Sequence, residues 1–413
     1  MILRLNTIIS LLATKHSMGI VFGHVFLRVS DFIMVFLIVR ILDIEQANSF
    51  MLMYAAAVIF NVISDFGLRN KTYCEIGQQS KETIRNYVEE IYGWKLILSF
   101  CAMLAYTLYA CFIFKQGLLL SFCFSLIAVN FNLSDPGIQL LRGLALGHKA
   151  FLLNLGEKII LLGGFLVLFL YRVQSVYLIL ILLFVTQYSR LTLSYLYISQ
   201  YVDFSWPKLR PASLISVAQD KVLPGCVLLA SRIYLKLPVL LLPFIGMEEY
   251  ASAIAIVLSV YHAALMIPNI SVTVLLPLLL KKNRKASLSK VLLPAVSITF
   301  LVSCMISCIL YYFADFIMAV FGVEYVNYSY ALRIIVFSLP FLCANQMIRL
   351  LGIAENISHR ILIILAGAIV ISLLLILFLI SIYGIAGIFY SCVIVEILFF
   401  TIMLIYAKAD GER

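Results

Sequence analysis

Charge is what this chain has least of. Only 12% of its 413 residues are Asp, Glu, Lys or Arg, against 64% hydrophobic, and its mean hydropathy is +1.08. Soluble globular domains carry about 25% charged residues, so this composition excludes them and describes a polytopic membrane protein. The sequence also lacks a phosphate-binding P-loop, a GxSxG elbow, an HExxH helix and a cluster of carboxylates, which removes the usual signs of ATP-driven and hydrolytic chemistry. Nine cysteines are scattered, mostly through apolar runs; Cys304 and Cys308 lie one helical turn apart without further Cys or His nearby. That pattern excludes a disulfide framework and a metal site, and no cofactor is implied. Residues 1–15 hold Arg4 and an apolar run but no small-x-small cleavage site before Lys15 and His16, so they read as an interfacial helix or the entry to the first span.

Runs of about 20 apolar residues predict twelve transmembrane helices, at 17–39, 47–66, 91–114, 117–141, 149–171, 174–198, 213–243, 249–277, 291–313, 328–351, 361–381 and 384–407. The mixed-charge run from Glu75 to Glu90 reads as a surface helix before the third of them. Tight connections at Lys115-Gln116-Gly117 and Tyr383-Gly384 suit helical hairpins. With a cytoplasmic N-terminus, nineteen Lys and Arg fall on the cytoplasmic side, including the cluster from Lys281 to Lys290. Only Arg40, Lys115 and Arg172 fall on the other side. This bias predicts an even number of spans and two cytoplasmic termini. The connector Gln200–Pro211, with Trp206, Pro207 and Lys208, divides the chain into 1–205 and 206–413, an N-terminal and a C-terminal six-helix bundle. The expected fold is therefore all-α, with two pseudo-symmetric bundles.

What the apolar spans do contain is unexpected: eight cations, Arg28, Lys95, Lys158, Arg190, Lys221, Arg232, Lys236 and Arg333. Each costs at least ~2.5–3.5 kcal/mol at the bilayer centre, so it persists where water, a partner or a substrate meets it. His24, Arg28 and Asp31 share one face of the first span by their spacing of four and three. That face is either a self-neutralising Arg28–Asp31 pair or a polar stripe on a hydrated cavity. In the seventh span Lys221, Arg232 and Lys236 present one cationic face, with Asp220 on a neighbouring stripe and Pro224, Gly225 and Pro238 interrupting the helix. Lys95, Arg333 and Lys236 are near enough to span ends to snorkel. Glu157 and Lys158, being adjacent, point about 100° apart and seek partners on other helices. Asp135, Arg190 and Glu396 are further candidates for pairing. Counting only Asp31, Asp135, Glu157, Asp220 and Glu396 against the eight cations leaves an interior about three charges positive, suited to phosphate or acidic sugars and hostile to organic cations.

The chain resembles the Wzx-type polysaccharide flippases of the MOP exporter superfamily. The resemblance rests on the length, the twelve spans, Asp65-Phe66-Gly67-Leu68-Arg69 before a basic loop, and the pattern from Asp220-Lys221 through Glu248-Glu249-Tyr250-Ala251 to Ile267-Pro268-Asn269 and Leu276-Pro277-Leu278. It implies a MATE-like fold in the bacterial inner membrane and flipping of an undecaprenyl-pyrophosphate-linked oligosaccharide, such as an O-antigen unit, by alternating access. It also implies H+ or Na+ as coupling ion, a polysaccharide polymerase and a chain-length regulator as partners, and no enzymatic activity. Arg28, Lys158, Arg190, Lys221, Arg232 and Lys236 are then the class of residue that binds substrate, with His24, Asp31, Glu157, Asp220 and Glu396 as coupling or ion-pair groups. Two alternatives stay open: a multidrug or cation antiporter of the same superfamily, and a membrane-embedded polymerase or acyltransferase, which the short external loops disfavour.

Overall fold

The computed structural model describes residues 15–66, 68, 81–144, 146–201, 211–266, 288–354 and 358–411. These form helices and the short turns that join them, with no strand among them. One compact unit runs Ala13–Ser252. Its helices are α1 (Lys15–Ile41), α2 (Ile44–Asp65), α3 (Lys81–Ile113), α4 (Leu118–Gly143), α5 (Gly147–Leu170), α6 (Val176–Ser199), α7 (Pro211–Leu240) and the short α8 (Leu242–Ile245). The unit therefore extends past the 200–211 connector and takes in α7.

Within it, α1 packs on α5, α3 and α6 on α4, and α2 on α3, α4 and α7. The Asp43 carboxylate caps α2 by accepting from Gln46 N at 2.8 Å, and Phe66 closes it in the left-handed region at φ 39°. Gly225 of α7 lies against that closing residue. A Cβ there would stand 2.9 Å from the Phe66 carbonyl oxygen, so only glycine lets α7 approach α2 this closely. The α3–α4 and α5–α6 turns repeat one device, a basic residue in the left-handed region: Lys115 at φ 52° and Arg172 at φ 53°.

Helix α3 shows the inside-out logic of a membrane helix. Leu96, Phe100, Leu104, Leu108 and Phe112, four residues apart, form an exposed apolar stripe, while Lys95, Ser99, Tyr106 and Ala110 are buried on the opposite side. This helix also corrects an expectation. From Lys81 onward the mixed-charge segment continues unbroken into the span, with Arg85 paired to Glu89 at 3.0 Å, because nothing in 81–91 breaks a helix. Residues 75–80 lie outside the described set, as do 1–14, Trp206-Pro207-Lys208, Ile267-Pro268-Asn269, Leu276-Pro277-Leu278 and most of the Lys281–Lys290 cluster.

The other unit contains Ala253–Arg413. Its helices are α9 (Ala251–Ala263, straddling the division), α10 (Leu288–Tyr312), α11 (Ala314–Phe321), α12 (Ser329–Ile335), α13 (Leu339–Ala354), α14 (Ser358–Tyr383) and α15 (Ala386–Gly411). The expected spans at 291–313 and 328–351 are less regular than the sequence suggests. Helix α11 leaves α10 at a 66° bend, and 3-10 turns at Val323–Tyr328 and Val336–Ser338 flank α12. Among the described residues nine helices are long and apolar enough to cross a membrane, or ten if the bent α10–α11 pair is one span. Of the expected twelve, the two not counted are α1 and α9, the latter running into undescribed residues.

Gly384, at φ 57°, turns α14 into α15, and Gly387 then seats α15 directly on the backbone of α14. A Cβ at Gly387 would stand 2.4 Å from the Leu379 carbonyl. Gly387→Ala is expected to cost about 1–3 kcal/mol through this overpacking, read as a lowered thermal midpoint of the purified protein in detergent, whereas Gly367→Ala, which meets nothing within 4 Å, leaves the midpoint in place.

Candidate functional site

Among the described residues, the charged side chains inside the apolar spans of the Ala13–Ser252 unit fall into three groups. The first is wholly internal. Lys95 of α3 is 0% exposed and donates to Asp65 Oδ1 at 2.6 Å and to the Asn132 carbonyl at 3.2 Å. Pro136 lies four residues beyond Asn132 and has no N–H, so that carbonyl is the one α4 leaves open, and Lys95 fills the gap. Asn132 Nδ2 in turn donates to the Asn61 carbonyl and Ser64 Oγ. Lys95 is thus a structural cation that ties α2, α3 and α4 together, and the snorkelling reading of it is corrected: the partner, Asp65, sits at the end of another span.

The second group joins α4, α5 and α6. Arg190 Nη1 meets Glu157 Oε2 at 3.0 Å, and Nη2 lies 3.8 Å from Asp135 Oδ1; all three side chains are buried. Glu157 therefore does find its partner across helices.

The third group is the candidate site. Asp31 of α1 accepts from Lys158 Nζ of α5 at 3.0 Å, with Asp31 about half exposed at 46% and Lys158 at 8%. The self-neutralising Arg28–Asp31 pair is thus replaced by a pair between helices. Tyr54 of α2 lies in the electrostatic field of Asp31, Lys158, Glu157 and Arg28. Lys236 of α7 interacts in the same way with Arg232, Arg28 and Asp31. Lys236 and Arg232 lie one turn apart on the same face of α7, so their like charges oppose each other. Three helices, α1, α5 and α7, thus carry Arg28, Lys158, Arg232 and Lys236 in the electrostatic neighbourhood of Asp31, with Lys158 paired to it at 3.0 Å. Among the described residues no carboxylate lies within ion-pair distance of Arg28 or Lys236. With the adjoining Arg190 group included, five cations face three carboxylates, so the region stays positive.

Of the other sequence candidates, Glu396 lies in the Ala253–Arg413 unit, where Asn345 Nδ2 donates to its Oε2 at 2.7 Å. Arg333 pairs with Asp315 at 2.5 Å near the surface. The side chains of His24, Asp220 and Lys221 lie outside the described residues.

No protein-family model and no curated protein sequence matches the chain. Solved structures do. An inward-facing multidrug resistance MATE family transporter of the MOP superfamily superposes with a TM-score of 0.71 at 14% identity, over 93% of this chain and 94% of that one. The lipid II flippase MurJ, in an inward closed conformation, gives 0.72 at 12% identity over 96% and 88%. The chain has the MOP transporter fold. A further transporter of the superfamily, from Pyrococcus furiosus, gives 0.58 at 13% identity over 95% and 94%, and is described as having a reversed pocket polarity that suggests a different function. The MOP fold thus houses proteins named for drugs and for a lipid-linked substrate, and the fold alone does not choose between them.

The interior charge count also needs amendment, since Asp65 and Asp315 neutralise two of the eight cations and are absent from it. Asp65 is legible in the sequence only as part of a motif, and Tyr54 carries no sequence signal beyond its place eight residues past Gln46 on the same helix.

Lys95→Met leaves Asp65 buried without its cation and is expected to destabilise the protein by about 3–5 kcal/mol. The double variant Lys95→Met/Asp65→Leu is expected to recover much of the loss. Thermal unfolding of the four proteins of this cycle in detergent checks the coupling; additive losses would contradict it.

Proposed function

We propose that this protein carries an anionic, lipid-linked substrate across the bilayer, namely an undecaprenyl-pyrophosphate-linked oligosaccharide such as an O-antigen repeat unit. It moves from the cytoplasmic to the periplasmic leaflet of the bacterial inner membrane by alternating access, both termini being cytoplasmic. The observation that carries this reading is the Lys158–Asp31 pair with Arg28, Arg232 and Lys236 in its electrostatic neighbourhood, more cations than carboxylates among the described residues. In a medium of low dielectric such an excess of positive charge attracts phosphate oxygens and repels organic cations. The two arginines offer forked donors to a pyrophosphate and the two lysines point charges. The polyprenyl tail stays in lipid while the headgroup enters.

The Lys158–Asp31 pair supplies a coupling step. A headgroup phosphate competes with Asp31 for the Lys158 ammonium, so loading and unloading of the substrate break and re-form this pair. Glu157 is the second such group, held by Arg190. Arg190 and Lys221 stand as supporting cations, and His24, Asp220 and Glu396 as further coupling candidates. The multidrug reading draws on the number of drug transporters with this fold, among them the MATE multidrug transporter DinF-BH at a TM-score of 0.67. The charge of the cluster argues against it.

In proteoliposomes containing a fluorescent polyprenyl-pyrophosphate saccharide, Arg28→Ala/Lys236→Ala is expected to slow transfer between leaflets by at least about ten-fold, the scale of one lost charge-assisted hydrogen bond. In cells, Arg232→Ala is expected to abolish surface polysaccharide at unchanged membrane abundance. Normal transfer in the double variant, or ethidium efflux by the wild type that the variant loses, would overturn the reading in favour of drug export.

A further inference from the structure

Helix α2 links the cationic cluster to a second feature. Gln46, Phe50, Met53 and Tyr54 lie on one side of it at spacings of four, three and one. The rings of Phe50 and Tyr54 are stacked at 6.0 Å, and Tyr54 lies in the electrostatic field of the cluster. Two turns toward the N-terminus, about 12 Å along the axis, the same side of α2 opens on a cavity of about 400 Å³. That size falls within the ~300–1,000 Å³ of small-molecule sites.

The lining combines the apolar side chains of Phe50, Met53, Leu120, Phe124 and Val176 with a set of uncharged polar ones. Gln46 and Ser49 come from α2, Gln116 from the α3–α4 turn, and Gln174 and Ser175 from the α5–α6 turn, with Tyr177 at the start of α6. The two turns are those closed by Lys115 and Arg172 in the left-handed region, which sets a glutamine one and two residues later at the rim. Among the described residues no charged side chain lines the cavity. Gln46 Oε1 is buried with no hydrogen-bond partner among the described residues, and Tyr177 is 52% exposed. A primary amide both donates and accepts, as a sugar hydroxyl does, and an aromatic face accepts the C–H face of a pyranose. A hydrocarbon chain in the same space would leave these amides unsatisfied, at a cost that a hydroxylated ligand avoids. By the distribution of basic loops, both turns lie on the side away from the cytoplasm.

We propose that this cavity is a saccharide subsite, in which the amides of Gln46, Gln116 and Gln174 and the ring of Tyr177 hold uncharged sugar rings. The proposal rests on the transport reading above and adds a division of labour to it. The cationic cluster takes the phosphates, and a neutral amide-lined pocket near the exit takes the sugars, so that selection among glycans is made where no charge is present.

The test uses the full-length protein in nanodiscs, with N-acetylglucosamine, glucose and galactose as probes in saturation-transfer NMR and inorganic pyrophosphate in a parallel phosphorus-31 titration. The wild type is expected to transfer saturation to at least one neutral sugar. Gln46→Leu/Gln174→Leu and, separately, Tyr177→Ala are expected to weaken that binding by about ten-fold or more while pyrophosphate binding stays as in the wild type. A thermal midpoint equal to the wild type's qualifies each variant, and Gln116→Leu replaces whichever fails. Absence of sugar binding by the wild type, or equal binding by all qualified variants, overturns the subsite. Pyrophosphate binding without sugar binding removes the subsite alone. Sugar binding without pyrophosphate binding removes the transport reading and leaves the pocket standing.

Discussion

A cation inside a bilayer must meet an anion, a carbonyl dipole or water, and that single constraint sorts the charged residues of this protein. Lys95 is fully enclosed and is satisfied by Asp65 and by the carbonyl that Pro136 leaves open. Arg190 is held between Glu157 and Asp135. These groups fasten helices. The cations around Asp31 are different: among the described residues their number exceeds that of the carboxylates beside them. A surplus of positive charge within the apolar spans does not repay its cost in packing; it is tolerable where water or a substrate anion completes it.

The architecture serves that surplus. Glycine at 225 lets α7 close on the end of α2, and α7 brings Arg232 and Lys236. The packing of α1 on α5 sets Asp31 against Lys158. Helix α2 stands at the centre of the unit, bonded through Asp65 at one end and opening on the amide-lined cavity at the other. Tyr54 is stacked on Phe50, a ring that borders the cavity. On the proposed reading, one helix links the phosphate region with the saccharide region.

Much of this is legible in the sequence, for identifiable reasons. Apolar runs bound the helices well, since hydropathy over twenty residues is a strong signal, and the face shared by Arg28 and Asp31 follows from helical spacing. What spacing along one helix does not encode is which helices are neighbours. The Asp31 partner and the role of Lys95 both depend on packing between helices distant in sequence. The break at α10–α11 and the 3-10 turns around α12 escape a hydropathy reading because apolar content stays high through them. The continuous helix from Lys81 escapes it for the opposite reason: a polar segment looks like a separate element, whereas helical continuity depends on breakers and not on polarity.

The central claim is that the cluster around Asp31 recognises an anion. Native mass spectrometry of the purified protein, titrated with undecaprenyl pyrophosphate in competition with the cationic dye ethidium, tests it most directly. The account predicts saturable binding of the pyrophosphate lipid that the dye does not displace. Saturable dye binding with no retention of the lipid would contradict it.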